Sequence, residues 1–185
     1  MKEIRLHGRG GQGAVTAATL LAIGAFKDGK FSQAFPKFGV ERRGAPVEAF
    51  TRIANTFIRR KSAIYEPDIL VVFDSTLFDV VNVTEGLKKD GMVIVNSEKG
   101  PDDLPIKGLK DLNVNTIDAT RIAFDILGAN IVNTAMLGAF SAFTGEVSKD
   151  SILEAVKEHF SGDIAEKNVQ LVESTYKEAI KRKDD

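Results

Sequence analysis

The sequence predicts an α/β protein, built as a three-layer α/β/α sandwich with a largely parallel sheet and additional helices at its C-terminal end. At the N-terminus, a short apolar segment runs through a glycine-rich turn into an alanine-rich helix. Further along, β-branched runs typical of buried strands alternate with helical segments, and beyond Gly128 only helical periodicity remains. The 185 residues suffice for one domain, residues 1–185, with a sizeable core.

The first half of the chain begins with a strand and a helix, which favours a Rossmann-like sheet. Ile4 and Leu6 mark the strand, and the helix after the glycines is apolar on most faces, so we expect it to be largely buried. Phe57-Ile58 can pair with the strand before it after an Asn55-Thr56 turn. The expected elements are a strand near residues 2–7, a helix from about 14 to 26, an extended segment at 31–35, a charged loop at 36–46 and an alternating strand at 47–53.

The second half contains three runs that are short and apolar enough to be strands, followed by helices. Asp74 and Asp118 follow the first and third runs, and Ser148 is a candidate N-cap for a later helix. The last helix carries one apolar stripe and should pack by one face. We expect strands at residues 69–73, 92–95 and 114–117, helices at 119–127, 131–143, 148–160 and about 163–181, and a frayed tail at 181–185.

The composition excludes several classes of function. Lys and Arg total 25 against 26 Asp and Glu, and a net charge of -1 gives no general attraction to nucleic acid or to an anionic membrane. The absence of cysteine removes disulfides, thiolate metal sites, iron–sulfur clusters and cysteine nucleophiles. No signal-peptide core occurs at the N-terminus, and no run approaches the ~20 apolar residues of a membrane span. We therefore expect a cytoplasmic protein without nucleic-acid or membrane partners.

The strongest candidate for binding is the run Gly8-Arg9-Gly10-Gly11-Gln12-Gly13, which joins the first strand to the first helix. Glycines allow positive φ angles and let backbone N–H groups approach an anion, while the helix N-terminus adds partial positive charge. The pattern is therefore a candidate phosphate cradle. A tight strand-to-helix turn that binds nothing is the alternative explanation of the same glycines.

The second candidate is a cationic stretch in the long loop, at Arg42 and Arg43. A dinucleotide-binding domain would carry an acidic residue about 20 residues after the glycines, to hold a ribose hydroxyl. Pro36-Lys37-Phe38 stands there instead, and the nearest acid is Glu41. Simple NAD binding is therefore disfavoured, and the region suits a phosphate or a partner's carboxylate better.

Four polar residues outside these stretches have more than one interpretation. Asp74 lies where ligands gather at the carboxyl ends of strands, but an Asp there is more often a cap for the next helix. His7 and His159 are far apart, so no metal pair is expected, and His7 is interpreted as a hydrogen-bonding or structural residue. Asn133 can cap a helix or bind a ligand. No nucleophile elbow or Walker motif occurs, and no catalytic residue is predicted.

Three segments in order resemble one family over nearly the whole chain. They are His7–Gly13, Gln33–Pro46 and Asn133–Gly138. Together they are similar to the gamma subunits of 2-oxoacid:ferredoxin oxidoreductases, most of all those of the pyruvate-type enzymes. The stretch Phe35-Pro36-Lys37-Phe38-Gly39-Val40-Glu41-Arg42-Arg43-Gly44-Ala45-Pro46 is more specific for the family than the glycine loop.

The resemblance implies a chain that works only inside a multi-subunit enzyme. Such an enzyme oxidatively decarboxylates pyruvate on thiamine diphosphate, passes electrons through iron–sulfur clusters to ferredoxin, and delivers the acyl group to coenzyme A, giving acetyl-CoA and CO2. The thiamine diphosphate, the Mg2+ and the clusters would belong to the alpha, beta and delta partner subunits. The isolated chain could form a homodimer contact and would not be active alone.

For this chain itself, the resemblance implies a position over the thiamine diphosphate site and a part in binding coenzyme A. Combined with the residues, the hypothesis is that the amides of Gly8–Gly13 and the helix dipole hold phosphates of coenzyme A, assisted by Arg9 and by Arg42 or Arg43. Asn133 is a further candidate contact. Two alternatives stay open: a purely structural subunit whose loops form ion pairs with its neighbours, and a stand-alone Rossmann-like nucleotide-binding protein.

Overall fold

The computed structural model describes residues 1–37, 42–106, 108 and 111–184. Within these ranges the chain forms six strands and five α-helices. The strands are β1 (Lys2–Arg9), β2 (Phe31–Pro36), β3 (Pro46–Ala54), β4 (Ile69–Val72), β5 (Met92–Asn96) and β6 (Asn113–Ile117). The helices are α1 (Ala14–Lys27), α2 (Ala119–Leu127), α3 (Asn133–Thr144), α4 (Lys149–His159) and α5 (Gly162–Asp184).

The sheet is mixed, with the strand order β2-β3-β1-β4-β5-β6. Strands β1, β4, β5 and β6 are parallel to one another, whereas β3 runs antiparallel to both of its neighbours, β1 and β2. The alternation in β3 predicted a strand but not its direction, because a half-buried strand has the same side-chain pattern in either pairing. The predicted α/β class and largely parallel, Rossmann-like sheet are confirmed.

The five described α-helices all contribute to a core on one face of the sheet. Ile4 and Leu6 of β1 and Ile94 of β5 point into this core. The opposite face is covered by 3-10 helices, Ser75–Asp79 and Pro101–Asp103, and by loops that pack on alternate residues of β4 and β5. The C-terminal helices therefore lie on the same side as α1, and the second outer layer is thinner than the helical one.

Strand β1 has one apolar face and one polar face, and both are buried. Glu3, Arg5 and His7 alternate with the apolar residues and point away from the helices. On the same face of the sheet, the fully buried Arg52 of β3 donates through Nε to Glu3 Oε1 at 2.8 Å. The sequence pattern did not predict this polar layer, because three charged or polar residues at alternate positions usually mark a solvent-facing side.

Two local expectations are wrong. Phe57-Ile58 forms no strand with β3, and the Ile58 carbonyl instead accepts a hydrogen bond from Gln33 Nε2 at 3.1 Å. The C-terminal tail is helical through Asp184, where fraying was expected. Arg182 explains part of this order, since its Nη1 donates to the carbonyl of Thr116 at 3.2 Å and ties the last turn to β6.

Candidate functional site

The glycine loop follows β1 at its carboxyl end and is joined to the end of the charged loop. The Gly10 N–H donates to the Ala45 carbonyl at 2.8 Å, and the Gly44 N–H donates to the Gly10 carbonyl at 3.0 Å, which makes a bridge between Gly10 and Arg43. A Cβ at Gly10 would overlap the carbonyl oxygen of Arg42. This close approach of two backbones requires glycine whether or not a ligand binds.

The side chain of Arg9 joins the same loop to the end of β4 by hydrogen bonds. Its Nε donates to Asp74 Oδ2 at 3.0 Å, its Nη2 to Thr76 Oγ1 at 2.7 Å and its Nη1 to the Gly44 carbonyl at 3.1 Å. Asp74 also accepts from the Thr76 N–H and so caps the 3-10 helix after β4, which confirms the capping interpretation. Burial acts to raise the pKa of Asp74, but hydrogen bonds from Thr76 and Arg9 outweigh burial and lower the pKa.

Gln12 stabilises the glycine loop by two hydrogen bonds to the backbone of Arg9. Its Oε1 accepts from the Arg9 N–H at 2.7 Å, and its own N–H donates to the Arg9 carbonyl at 2.9 Å. The Ala17 N–H donates to the Gly13 carbonyl at 2.9 Å as the first helical bond of α1. The N–H groups of residues 14–16 therefore have no acceptor four residues earlier in the helix, and they form the anion-attracting end of α1.

The N-termini of α1 and α3 meet at Gly13 and Asn133. Gly13 has a φ of 78° and leaves α1 without a side-chain cap, and a Cβ there would lie 2.7 Å from Asn133 Nδ2. Asn133 is only 7% exposed, and its Oδ1 accepts from the Thr134 N–H at 2.9 Å. Its Nδ2 donates to none of the described residues. An amide donor thus stands between two helix N-termini.

Arg42 and Arg43 lie exposed beside the glycine loop. Gly11, which has a φ of 98°, comes close to Arg43, since a Cβ there would lie 3.9 Å from Arg43 Cγ. Both arginine side chains are accessible to a ligand or to a partner. Glu41, which belongs to the same sequence motif, lies outside the described residues, as do residues 38–40.

A cleft of about 260 Å³ opens at the carboxyl ends of the parallel strands and is lined by Gln12 and by residues that follow β4, β5 and β6. Three of its lining residues are carboxylates: Asp74, Glu98 and Asp118. Asn96 links its walls, because its side-chain amide bonds both the backbone after β4 and the start of α2. We call this feature the acidic cleft; Asp74 and Asp118 in it are paired with Arg9 and Arg121.

The residues predicted to bind a cofactor all lie around one edge of the sheet: Gly8, Arg9, Gly10, Gly11, Gln12, Gly13, Arg42, Arg43 and Asn133. His159 is distant at the end of α4, and His7 lies on the polar face of β1. Asn96 and Asp118 were not predicted from the sequence as cleft residues. Both stand where a strand ends, which is the position at which ligands gather in open α/β sheets and the signal that could have found them.

The described ranges contain no cluster of three or more His, Asp or Glu side chains that could hold a metal ion. Across the same ranges, no helix has the length and apolar character needed to cross a bilayer. The groups that this edge offers to a ligand are backbone N–H groups, arginines, amides and carboxylates.

Comparison with known proteins identifies relatives over the full length of the fold. The family model for pyruvate ferredoxin/flavodoxin oxidoreductase matches residues 3–178. The chain is 57% identical over 182 residues to pyruvate synthase subunit PorC of Methanocaldococcus jannaschii, covering 98% of this chain and 99% of that protein. It is 55% identical over 181 residues to the pyruvate/ketoisovalerate oxidoreductases common subunit gamma of Thermococcus kodakarensis, covering 97% and 98%.

Solved structures share the fold. Pyruvate oxidoreductase subunit PORC of Thermotoga maritima matches with a TM-score of 0.80 and 35% identity over 95% of each chain. The 2-oxoglutarate:ferredoxin oxidoreductase of Magnetococcus marinus, 18% identical, contains the fold within a longer chain, with a TM-score of 0.78 over 97% of this chain and 31% of that one. The chain belongs to the pyruvate ferredoxin/flavodoxin oxidoreductase family, as a chain of the gamma-subunit type, and the family expected from its motifs is confirmed.

Proposed function

We propose that this chain, as a single domain over residues 1–185, is the gamma subunit of a multi-subunit pyruvate-type 2-oxoacid:ferredoxin oxidoreductase and binds the phosphates of coenzyme A at its glycine loop. The relatives described above are subunits of pyruvate synthase and of pyruvate/ketoisovalerate oxidoreductases. In the proposed reaction, pyruvate loses CO2, its two-carbon acyl group passes to the thiol of coenzyme A, and the two electrons released reach ferredoxin. A cytoplasmic location stays a prediction.

The observation that carries this proposal is the meeting of α1 and α3 at Gly13 and Asn133. Two helix N-termini add their partial positive charges at one point, where the first-turn amides of α1 have no acceptor within the helix. Asn133 Nδ2 adds a side-chain donor beside them. This arrangement supports binding of a phosphate group, which offers several acceptor oxygens to converging N–H groups.

The distribution of charge favours binding of the phosphates beside Arg42 and Arg43 rather than in the acidic cleft. In the acidic cleft, Asp74 and Asp118 are paired with arginines and Glu98 adds a negative charge, whereas the exposed Arg42 and Arg43 attract phosphates. Arg9 has three partners within the protein, so the two exposed arginines are better placed to pair with a ligand. A guanidinium group matches phosphate oxygens with two parallel hydrogen bonds, which favours arginine over lysine in this role.

The redox chemistry of the proposed enzyme requires the partner subunits. With no cysteine, this chain has no thiolates for iron–sulfur clusters, so we assign the clusters, the thiamine diphosphate and the Mg2+ to alpha, beta and delta subunits. The Magnetococcus marinus enzyme was solved with 2-oxoglutarate, coenzyme A and succinyl-CoA bound. The part of this chain would be to hold coenzyme A so that its thiol reaches the acyl group on a partner, and to cover that site from solvent.

The test is a kinetic comparison of variants in the reconstituted complex. We expect Arg42→Ala or Arg43→Ala to raise the apparent KM for coenzyme A by about tenfold, the value of one lost charge-assisted hydrogen bond, with little change in kcat. The matched control is Arg59→Ala, because Arg59 is also exposed but lies far along the chain from the glycine loop. Calorimetric titration with coenzyme A and dephospho-coenzyme A then reports whether the ribose phosphate contributes.

The competing proposal is a purely structural subunit, and the exposure of Arg42 and Arg43 favours it equally. Under that proposal, the same variants reduce assembly of the complex, measured by size-exclusion chromatography, and leave the KM for coenzyme A of the assembled fraction unchanged. An unchanged KM in both variants, together with no binding of coenzyme A to chain or complex, would rule out the coenzyme site.

A further inference from the structure

Two arginines are buried on the polar face of the sheet, and among the described residues only one of them has a counter-ion. Arg52 is 0% exposed and pairs with Glu3 at 2.8 Å. Arg5 is 6% exposed, and no described carboxylate lies within 4.0 Å of its guanidinium group. The described acceptors around Arg5 are neutral: His7 Nε2 at 2.9 Å, the Val83 carbonyl at 2.9 Å and the Glu85 carbonyl at 2.6 Å.

A buried cation without an anion is unusual, because the loss of hydration is normally offset by a paired charge. Arg5 uses Nε and Nη2 for its three contacts, and its Nη1 donates to none of the described residues. One nitrogen of the guanidinium group is therefore left without an acceptor in the part of the chain that the structure describes. The Nη1 group of Arg5 can therefore donate to an anion that presents an oxygen atom from that side.

His7 supplies a second donor next to Arg5. Its Nε2 accepts from Arg5 Nε, so the proton of the neutral ring lies on Nδ1. Burial, with help from the charges of Arg5 and Lys37, lowers the pKa of His7 to about 3, and the ring is neutral at physiological pH. Nδ1 donates to none of the described residues. The pair thus presents one cationic and one neutral N–H donor.

Both residues line a cavity of about 390 Å³ between the sheet and the loops that cover it. Phe50 and Ile64 give it an apolar wall, and both are buried. At the rim, Lys37 pairs with a glutamate of β3, so these two charges largely cancel. The cavity therefore combines a cationic base with an apolar wall, in a volume typical of small-molecule sites.

The remaining charges at the cavity influence Arg5 and His7 without forming an ion pair with Arg5. The glutamate that pairs with Lys37 is Glu48, with Nζ to Oε1 at 3.0 Å, and Glu85 is exposed at the rim. Burial lowers the pKa of Arg5, and the carboxylates of Glu48 and Glu85 act in the opposite direction. Glu48 lies opposite His7 in the sheet, and Lys37 offsets its repulsion of an anion, whereas Glu85 is exposed and is screened by water.

We propose that this cavity is a binding site for a small monocarboxylate with a short aliphatic group, separate from the glycine loop. The carboxylate accepts from Arg5 Nη1 and from His7 Nδ1, and the aliphatic group lies against Phe50 and Ile64. Binding gives the buried guanidinium group the counter-ion that Arg52 already has. The site is independent of the coenzyme A proposal, since its residues lie on β1, β3 and the covering loops.

The experiment uses the two histidines of the chain as reporters. In a 15N-labelled full-length chain, long-range 1H–15N spectra contain ring signals from only His7 and His159. Acetate and propionate are titrated at constant ionic strength against chloride, with acetamide as the neutral analogue. We expect the His7 signals to shift saturably with both carboxylates, with a dissociation constant on the order of 1 mM, while His159 stays unchanged. Equal shifts with acetamide, or no shift at His7, would overturn the proposal.

Two variants separate the cavity from the fold. Ala63→Phe fills the cavity without changing Arg5 or His7, and we expect acetate to bind at least about tenfold more weakly. The same substitution at half-buried Ala165 in α5 is the matched control and should leave binding unchanged. Binding that survives Ala63→Phe contradicts the site.

Assembly with the partner subunits gives a further test. Acetate binding that persists in the reconstituted complex, measured by the same His7 signals, supports a free carboxylate as the ligand. Loss of binding on assembly would show that the partner subunits close or occupy the cavity, and the proposal of a small-molecule site would then be wrong. Arg42→Ala should not affect either measurement, which keeps this result distinct from that of the coenzyme A experiment.

Discussion

At Gly13 two independent requirements act on one residue. The backbone has a φ of 78°, in the left-handed region, and the side-chain amide of Asn133 occupies the space where a Cβ would project. The glycine spacing predicted a turn or a phosphate cradle, but it could not separate the two. A glycine leaves space that either a ligand or a neighbouring part of the protein can occupy. At Gly10, the space is occupied by the Arg42 carbonyl.

Alanine at Gly13 should therefore destabilise the fold more than alanine at a glycine with space around it. Gly29 is the matched control, since it has a φ of 77° and no atom within 4 Å of the position that a Cβ would take. We expect Gly29→Ala to cost about 1–2 kcal/mol for the left-handed backbone, and Gly13→Ala to cost about 1–3 kcal/mol more because Asn133 must move. Urea denaturation of both variants measures the difference, and equal values would contradict it.

At the scale of elements, α1 and α4 are joined through one carboxylate. Asp28, the C-cap of α1, accepts from the Ser148 N–H at 2.7 Å, from Ser148 Oγ at 2.6 Å and from Ser151 Oγ at 2.6 Å. Burial acts to raise the pKa of Asp28, but the hydrogen bonds from both serines, with the charge of Lys30, lower the pKa overall. The contact thus depends on the ionised carboxylate.

The contribution of Asp28 should disappear in acid. Its folded pKa is lowered, so its stabilising effect is fully present above the unfolded value of about 3.9 and is lost as pH falls through the folded pKa. We expect Asp28→Asn to lower the free energy of unfolding at pH 7, with a difference from the parent that shrinks below pH 4. Asp125→Asn on the exposed face of α2 is the control and should change little at any pH. A difference that does not depend on pH would argue against the ionised contact.

The ends of helices and strands were predictable where a capping residue or a regular spacing of apolar residues marks them. Asp118 caps α2 and Ser148 caps α4, and both helices begin within one residue of the prediction. The antiparallel insertion of β3 between β1 and β2 had no such signal, since strand direction depends on distant pairing. The order of the C-terminal turn was missed for the same reason, because the Arg182 contact with β6 spans 66 residues of sequence.

For the whole molecule, the polar face of β1 makes stability depend on pH well above the acidic range of the carboxylates. The pKa of His7 is about 3 in the fold, where burial lowers it, against about 6.5 in the unfolded chain. The unfolded chain therefore binds the extra proton between these values. Stability is fully present above pH 6.5 and is lost as pH falls toward 3.

We expect the free energy of unfolding to fall by up to about 1.4 kcal/mol per pH unit between pH 6.5 and 4.5. In this window Asp28 and Asp74, whose pKa values are lowered, do not yet titrate. His7→Gln cannot ionise at this position and should flatten the slope, even where it lowers stability at pH 7. Guanidinium denaturation at several pH values gives the comparison. A parent curve with the same slope as the variant would refute the assignment.

Much of the overall architecture followed from patterns within single segments, such as the apolar run before Asp74 and the stripe of α5. The candidate phosphate site was also visible, because its main parts, Gly8–Gly13 and Arg42-Arg43, are short motifs. The acidic cleft and the cavity at Arg5 were not, since each combines residues from separate strands and loops. Such sites exist only after the chain has folded.

The two-faced β1 strand also protects the fold against errors in strand alignment. A slip of one residue would turn Glu3, Arg5 and His7 toward the helices and move Ile4 and Leu6 out of the core. Buried charges would then lose their partners at a cost of several kcal/mol, so no shifted form could compete with the native one. Because β1 pairs with both β3 and β4, the alignment of this one strand sets the register of the sheet around it.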